Sequence, residues 1–212
     1  IEIDPFIGIK EAARRRDFTM NALLKDILSG EIADPYGGTE DIKNRIIRHI
    51  DDKKFGEDPL RALRAAQFRS RFGFQVAPST ISICRALDLR NLSAERVEME
   101  MKKALLESRR PSEFFECLRE MGQLGYWFQE LEQLIGLEQN HKFHPEGDVW
   151  THTMMVLDRA AQFRPYASDP YAFMLLALTH DFGKITTTEF VNGAIHAYGH
   201  ELQGAEIAER FL

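Results

Sequence analysis

From Asp58 to the end of the chain the apolar residues recur at helical spacing. One strong hairpin signal, Asn192-Gly193 inside TTTEFVNGAIHAY, breaks the run. A helical period leaves little room for a large sheet, since a strand keeps one face buried by alternating apolar and polar residues. Asn-Gly joins antiparallel strands because both residues accept positive φ. The chain is therefore expected to be mainly α with a small β-hairpin. Helices are expected at 79–89, 94–107, 111–121, 127–135, 149–163 and 170–181, with a last one from about residue 200. Pro59 suits the first position of a helix capped by Asp58. On that helix Leu60, Leu63, Phe68 and Phe72 supply apolar contacts, and Ala62, Ala65 and Ala66 allow close packing. Before it, residues 11–24 read as a short helix or a loop leading into one. GEIADPYGG reads as a short strand and turn. Thr39 or Asp41 then caps a helical turn that leads to a strand around IIRHI.

With 212 residues, 44% hydrophobic and 28% charged, the chain has the composition of a soluble globular protein. No apolar run reaches the roughly 18 residues of a membrane span. Cys84 and Cys117 lack metal-ligand spacing and fit reduced thiols in a cytoplasmic protein. Ile1 opens a strand-like stretch, IEIDPFIGI, so the chain reads as a segment of something longer. The net charge of −6 hides an asymmetry. Residues 1–110 hold 21 Lys and Arg against 18 Asp and Glu, whereas residues 111–212 hold 6 against 15. A phosphate-rich partner is expected on the first half. The residues set no oligomeric state.

GEDPLRALRAAQF (56–68) places Asp58 and Arg61 one helical turn apart, with Arg64 following. Alone, Asp58 would be a helix cap and the arginines a solvated face. A carboxylate beside a guanidinium can also match the amino donor and ring acceptor that cytosine and adenine show side by side. Uracil and guanine present the reverse order and would leave buried polar groups unpaired.

RRRDFTMNAL (14–23), DPYGGTEDIKNRIIRH (34–49) and EDPLRALRAAQF (57–68) follow one another in order. Together they resemble the motifs of the bacterial, class II tRNA nucleotidyltransferase and poly(A) polymerase family, over about residues 11–110. The resemblance implies that Arg16, Asp17 and Asn21 lie near a nucleotide's sugar and phosphates. It implies that Asp58 and Arg61 read the base and that Arg64 contacts the nucleotide. Relatives often carry arginine where this chain has Gln67. The family's G-G-x-x-R-D stretch and D-x-D carboxylate pair, which holds Mg²⁺ for attack of a tRNA 3′-hydroxyl on CTP or ATP, are not in this sequence. The chain alone is therefore expected to catalyse no transfer.

In the second half, His152 lies in HPEGDVWTHTMMVLD and the adjacent His180-Asp181 in LLALTHDFGK. Burying imidazole and carboxylate together is costly unless they bind a metal or each other. A mixed nitrogen and oxygen set suits Mn²⁺, Ni²⁺, Zn²⁺ or Mg²⁺, and a metal there can activate water against a phosphoester. These segments resemble the HD phosphohydrolase superfamily, which implies metal ligation by His152, His180 and Asp181, with His200 as a further metal- or phosphate-facing histidine. Its fourth ligand, a distant Asp, is expected beyond Leu212. Lys184 is a phosphate-contact candidate. His144 and His196 are expected to be structural or solvent-facing.

The joint expectation has three parts. Residues 1–55 are the end of an α/β nucleotidyltransferase head, residues 56–140 a helical neck and body that bind nucleotide and RNA, and residues 141–212 a truncated all-α HD domain with the hairpin. Its partners are the tRNA 3′ end, CTP and ATP, and no membrane. One alternative is a bacterial poly(A) polymerase, or a relative adding only A or CC. Another is an HD phosphohydrolase with an N-terminal nucleotide- or RNA-binding module.

Overall fold

A computed structural model of the protein describes residues 8–211; the strand read at IEIDPFI lies outside the described residues. Helix α1 (Gly8–Arg14) leads through a 3₁₀ turn at Thr19–Asn21 to a minimal antiparallel pair, β1 (Leu24–Lys25) and β2 (Ile32–Ala33). Helix α2 (Gly38–Lys43) follows. Neither expected residue caps it. The carboxylate of Asp34 accepts from the Gly38 and Thr39 amides at 2.7 and 2.8 Å, while Asp41 is buried and accepts from the Thr19 hydroxyl. Strand β3 (Ile46–Ile47) leads to α3 (Asp52–Phe55) and then α4 (Leu60–Phe72). Strand β4 (Gln75–Val76) returns beside β3, in parallel. Asp58 does cap α4, its carboxylate accepting from the Leu60 amide at 3.1 Å.

The remainder is helical: α5 (Pro78–Arg85), α6 (Ala94–Glu107), α7 (Ser112–Glu120), α8 (Gln129–Gln133), α9 (Val149–Phe163), α10 (Pro170–Thr179) and α11 (Lys184–Thr187). A hairpin of β5 (Glu189–Val191) and β6 (Ala194–His196) turns on Asn192-Gly193, with φ of 52° and 81° as the two-residue turn requires. Helix α12 (His200–Phe211) closes the described chain. Helix α5 ends four residues before the expected 89. The amide of Gln123 takes the carbonyls of Cys84 and Leu87, and the Trp127 indole takes that of Leu89, so these carbonyls are satisfied without another turn.

Helix α4 packs on α6 and α7, and its Ala62, Ala65 and Ala66 have no exposed surface. Phe72 departs from the expected core role. It is 47% exposed and stacks on Phe68 at 5.6 Å. The buried apolar cluster runs from Phe18 to Ile207. The expected boundary near residue 140 falls in the loop between α8 and α9, and this cluster continues across it. Asp158 on α9 accepts from the Ser112 amide and hydroxyl, tying α9 to the start of α7. Cys84 and Cys117 are free and buried, and burial pushes both thiols up to about 12. Among the described residues no helix is long and apolar enough to cross a membrane.

Asp148 starts α9. Its carboxylate accepts from the Thr151 amide at 2.9 Å and from the Gly136 amide at 2.7 Å. Burial opposes its ionisation, but the bonds from Thr151 and Gly136 outweigh that and lower its pKa from 3.8. The cap's contribution is therefore present above pH 3.8 and is lost as pH falls through the lower folded value. Asp148→Ala is expected to cost about 1 kcal/mol near pH 7. In urea melts the gap between variant and parent should close as pH approaches the folded value.

Candidate functional sites

Three of the expected nucleotide contacts meet. The 3₁₀ turn after α1 brings Asn21 beside Asp17, and α4 presents Arg64 to Asp17. The Asp17 carboxylate is buried. One oxygen accepts from the Phe18 amide (2.9 Å) and the Asn21 side chain (3.0 Å), and the other from Arg64 Nε at 2.6 Å. Arg64 also lies over the Phe68 ring and 3.9 Å from the buried Glu100. Its guanidinium, with 30% of the side chain still exposed, is thus aimed by a fixed carboxylate and keeps free donors toward solvent. Arg16 is half-buried and makes no side-chain hydrogen bond among the described residues.

Asp58 and Arg61 are not brought together. Both oxygens of Asp58 accept from Arg96, at 2.9 and 3.0 Å. Arg61 folds over the Phe55 ring and donates to the carbonyls of Lys54 and Arg15. Each side chain finds a partner from another segment, and so the expected flat acceptor–donor pair is not assembled. Neither is sealed in, since both are half-buried. Gln67 is 1% exposed, and its amide in the hydrogen-bonded orientation accepts from Arg71.

The second site lies where α9, the end of α10 and the start of α12 converge. Helix α10 stops at Thr179, two residues short of expectation, so His180 and Asp181 occupy the turn beyond it. The nitrogens of His152, His180 and His200 facing Asp181 are all Nε2, at 3.7, 3.3 and 3.7 Å from its oxygens. In each ring Nδ1 meets an acceptor: Glu146 for His152 (2.6 Å), the Ala177 carbonyl for His180 (2.9 Å) and the Ala197 carbonyl for His200 (2.7 Å). An acceptor on Nδ1 fixes the neutral ring as Nδ1–H, leaving three Nε2 lone pairs aimed at a carboxylate. That arrangement is repulsive unless protons or a cation lie between them. His152, His180 and Asp181 offer ligand atoms all within 4.8 Å of one another, and their chemistry fits a borderline divalent ion.

Lys184, 7% exposed, donates to Asp181 at 2.8 Å and to Gln139 at 3.0 Å. Burial works against the ionised form of Asp181, but His180 and Lys184 outweigh it and hold the carboxyl well below its usual range. Burial likewise opposes charge on His180, yet its bond to Asp181 raises the ring's pKa. The site opens into a cleft of about 440 Å³, rimmed by Phe143, Thr188, His196 and Tyr198.

Gly183 sets this geometry. A Cβ there would collide with the His200 carbonyl and lie 2.6 Å from the Gly204 amide, so only glycine lets α12 seat His200 against the dyad. Gly183→Ala is expected to destabilise the chain by about 1–3 kcal/mol and to weaken divalent-ion binding. A thermal melt and a metal titration check the two effects separately.

The chain resembles known proteins over most of its length. Residues 5–48 match the family model described as the poly A polymerase head domain, and residues 73–135 the one described as a probable RNA- and SrmB-binding site of polymerase A. The chain is 40% identical, over 98% of its length, to a multifunctional CCA protein of Actinobacillus pleuropneumoniae, and 42% identical over 96% to one of Pasteurella multocida. The chain belongs to the class II tRNA nucleotidyltransferase and poly(A) polymerase family. It spans about half the length of the curated relatives it matches, 51% and 49% for these two. Among solved structures, a tRNA nucleotidyltransferase complexed with a primer tRNA and an incoming ATP analog aligns with 96% of this chain. That match covers 57% of the solved chain, with a TM-score of 0.61 and 26% identity. A tRNA-processing enzyme in an apo form aligns equally well, with a TM-score of 0.61 and 26% identity, over 96% of this chain and 53% of the other.

Within this member of the family, sequence reasoning missed Glu146, Gln139 and Arg96. Glu146 sits in the same HPEGD stretch as His144, and its spacing from His152 gives no helical signal because a loop intervenes. His144 was expected to be structural or solvent-facing. Its Nδ1 lies 3.1 Å from Glu146, and its ring meets that of His152 at 4.8 Å. His196 stacks on Tyr198 at the rim of the cleft.

Proposed function

We propose that these residues serve a CCA-adding tRNA nucleotidyltransferase, in which they hold the incoming CTP or ATP and the tRNA 3′ end. The observation that carries this reading is the joining of Asn21 and Arg64, from two separate motifs, through the buried Asp17 carboxylate, which aims a guanidinium. In this reading residues 1–55 complete a head domain and residues 56–140 form the neck and body. The setting is cytoplasmic. Mg²⁺ for the transfer would be held by a D-x-D pair that is not among these 212 residues. Arg64 and Arg16 bind phosphate, and Asp17, braced by Asn21, holds Arg64 in place. Base choice falls to Asp58 and Arg61 once Arg96 and the carbonyls of Lys54 and Arg15 release them. The test is incubation of the full-length protein with tRNA lacking its 3′ end and each of the four nucleoside triphosphates. A long A tail on unrelated RNA would instead indicate a poly(A) polymerase.

A second activity rests on the inward-facing Nε2 atoms. We infer that residues 141–212 act as an HD phosphohydrolase, with His152, His180, Asp181 and His200 holding a divalent ion such as Mn²⁺, Ni²⁺ or Zn²⁺. A bound ion would supply Lewis acidity toward a phosphoester. Lys184 supplies positive charge beside Asp181, and Phe143 and Tyr198 offer exposed apolar surface at the rim of the cleft. Hydrolysis of 2′,3′-cyclic nucleotides by the chain, dependent on added metal and lost in His180→Ala, tests it.

A further inference from the structure

We propose that Glu146 is a positioning residue for the metal site: it locks His152 in the Nδ1–H tautomer, so that His152 can ligate only through Nε2. The inference rests on the metal reading of His152, His180 and Asp181. Of the three inward-facing histidines, His180 and His200 are oriented by backbone carbonyls that the fold supplies whatever the side chains are. His152 alone depends on a side chain. Glu146 Oε1 lies 2.6 Å from His152 Nδ1 and 3.1 Å from His144 Nδ1. A carboxylate only accepts, so both contacts require Nδ1–H on the rings.

The loop holds this oxygen in place. Gly147, at φ 121°, turns the chain between Glu146 and the cap Asp148, and Asp148 is fixed to both α9 and Gly136. The Glu146 side chain is 17% exposed, and the His144 ring packs edge-on to His152. Turning the His152 ring over would lose the Glu146 bond and move Nε2 away from Asp181. The carboxylate–imidazole pair therefore decides which nitrogen faces the ion, and a carboxylate acceptor also makes that nitrogen a stronger donor to the metal.

Two readouts test the proposal on the whole chain. Long-range proton–nitrogen NMR of the metal-free protein at pH 8 reports which His152 nitrogen carries the proton. Wild type is expected to show Nδ1–H, and Glu146→Ala a mixture of tautomers. Calorimetric titration with Mn²⁺ and with Zn²⁺ is expected to show a Kd about 10- to 100-fold weaker in Glu146→Ala. Glu146→Gln, which keeps an acceptor but not the charge, should lie between the two. Thermal melts without metal should be little changed in Glu146→Gln. Unaltered tautomer and unaltered Kd in both variants, with wild type binding metal, overturn the proposal alone. Wild type that binds neither ion overturns the metal reading and the proposal together.

Discussion

His180→Ala should abolish divalent-ion binding by the chain while leaving it folded. His180 stands beyond the last turn of α10 with 30% of its side chain exposed, so truncation leaves no large cavity. In the proposed metal site the loss would remove a direct ligand, and its effect should exceed the roughly 10- to 100-fold that follows loss of an outer partner. Asp181→Ala should be as damaging to binding and far worse for stability. Lys184 would keep only Gln139 as partner in a site where it is 7% exposed. Removing one member of a buried ion pair costs about 3–5 kcal/mol. Parallel calorimetric titrations and chemical melts should therefore separate the two variants: similar loss of binding, different loss of stability.

Arg64→Ala should weaken nucleoside triphosphate binding by the full-length protein about 10- to 100-fold, the range expected when a charge-assisted hydrogen bond is lost. The Asp17 carboxylate would remain buried with the Phe18 amide and Asn21 as partners, so some loss of stability should accompany the binding defect. Asn21→Ala leaves the Arg64–Asp17 bond intact and should show a smaller loss. Equal defects in the two variants would mean that Arg64 acts only by holding the turn after α1 against α4. Filter binding with labelled ATP, alongside melts of each variant, reads the difference.

Apart from the short α11, the helices from α4 onward were legible because their apolar periods and caps are local properties, and Asn192-Gly193 specifies its turn without help. The gathering of His152, His180 and Asp181 was legible for a different reason. An adjacent His and Asp after an apolar run announces a buried polar pair, and such a pair needs compensation. What could not be read depended on distant partners. Arg96 claims Asp58 across 38 residues, and no rule of spacing pairs them. Gln123 ends α5 from 39 residues away. Glu146 reaches His152 only because the HPEGD loop folds back onto the start of α9. Phe72 sits at a core-like spacing yet is 47% exposed, since it is the last residue of α4 and its ring neighbours are Phe68, Phe74 and Arg71.

The most direct test of the account follows nucleotide choice at the tRNA 3′ end. Full-length protein and its Asp58→Ala variant would be given tRNA lacking that end, with labelled CTP, ATP, UTP and GTP in separate reactions. The account predicts C and A incorporation by the parent protein, and loss of discrimination against U and G in the variant. Unchanged discrimination in Asp58→Ala, or equal use of all four nucleotides by the parent, would contradict it.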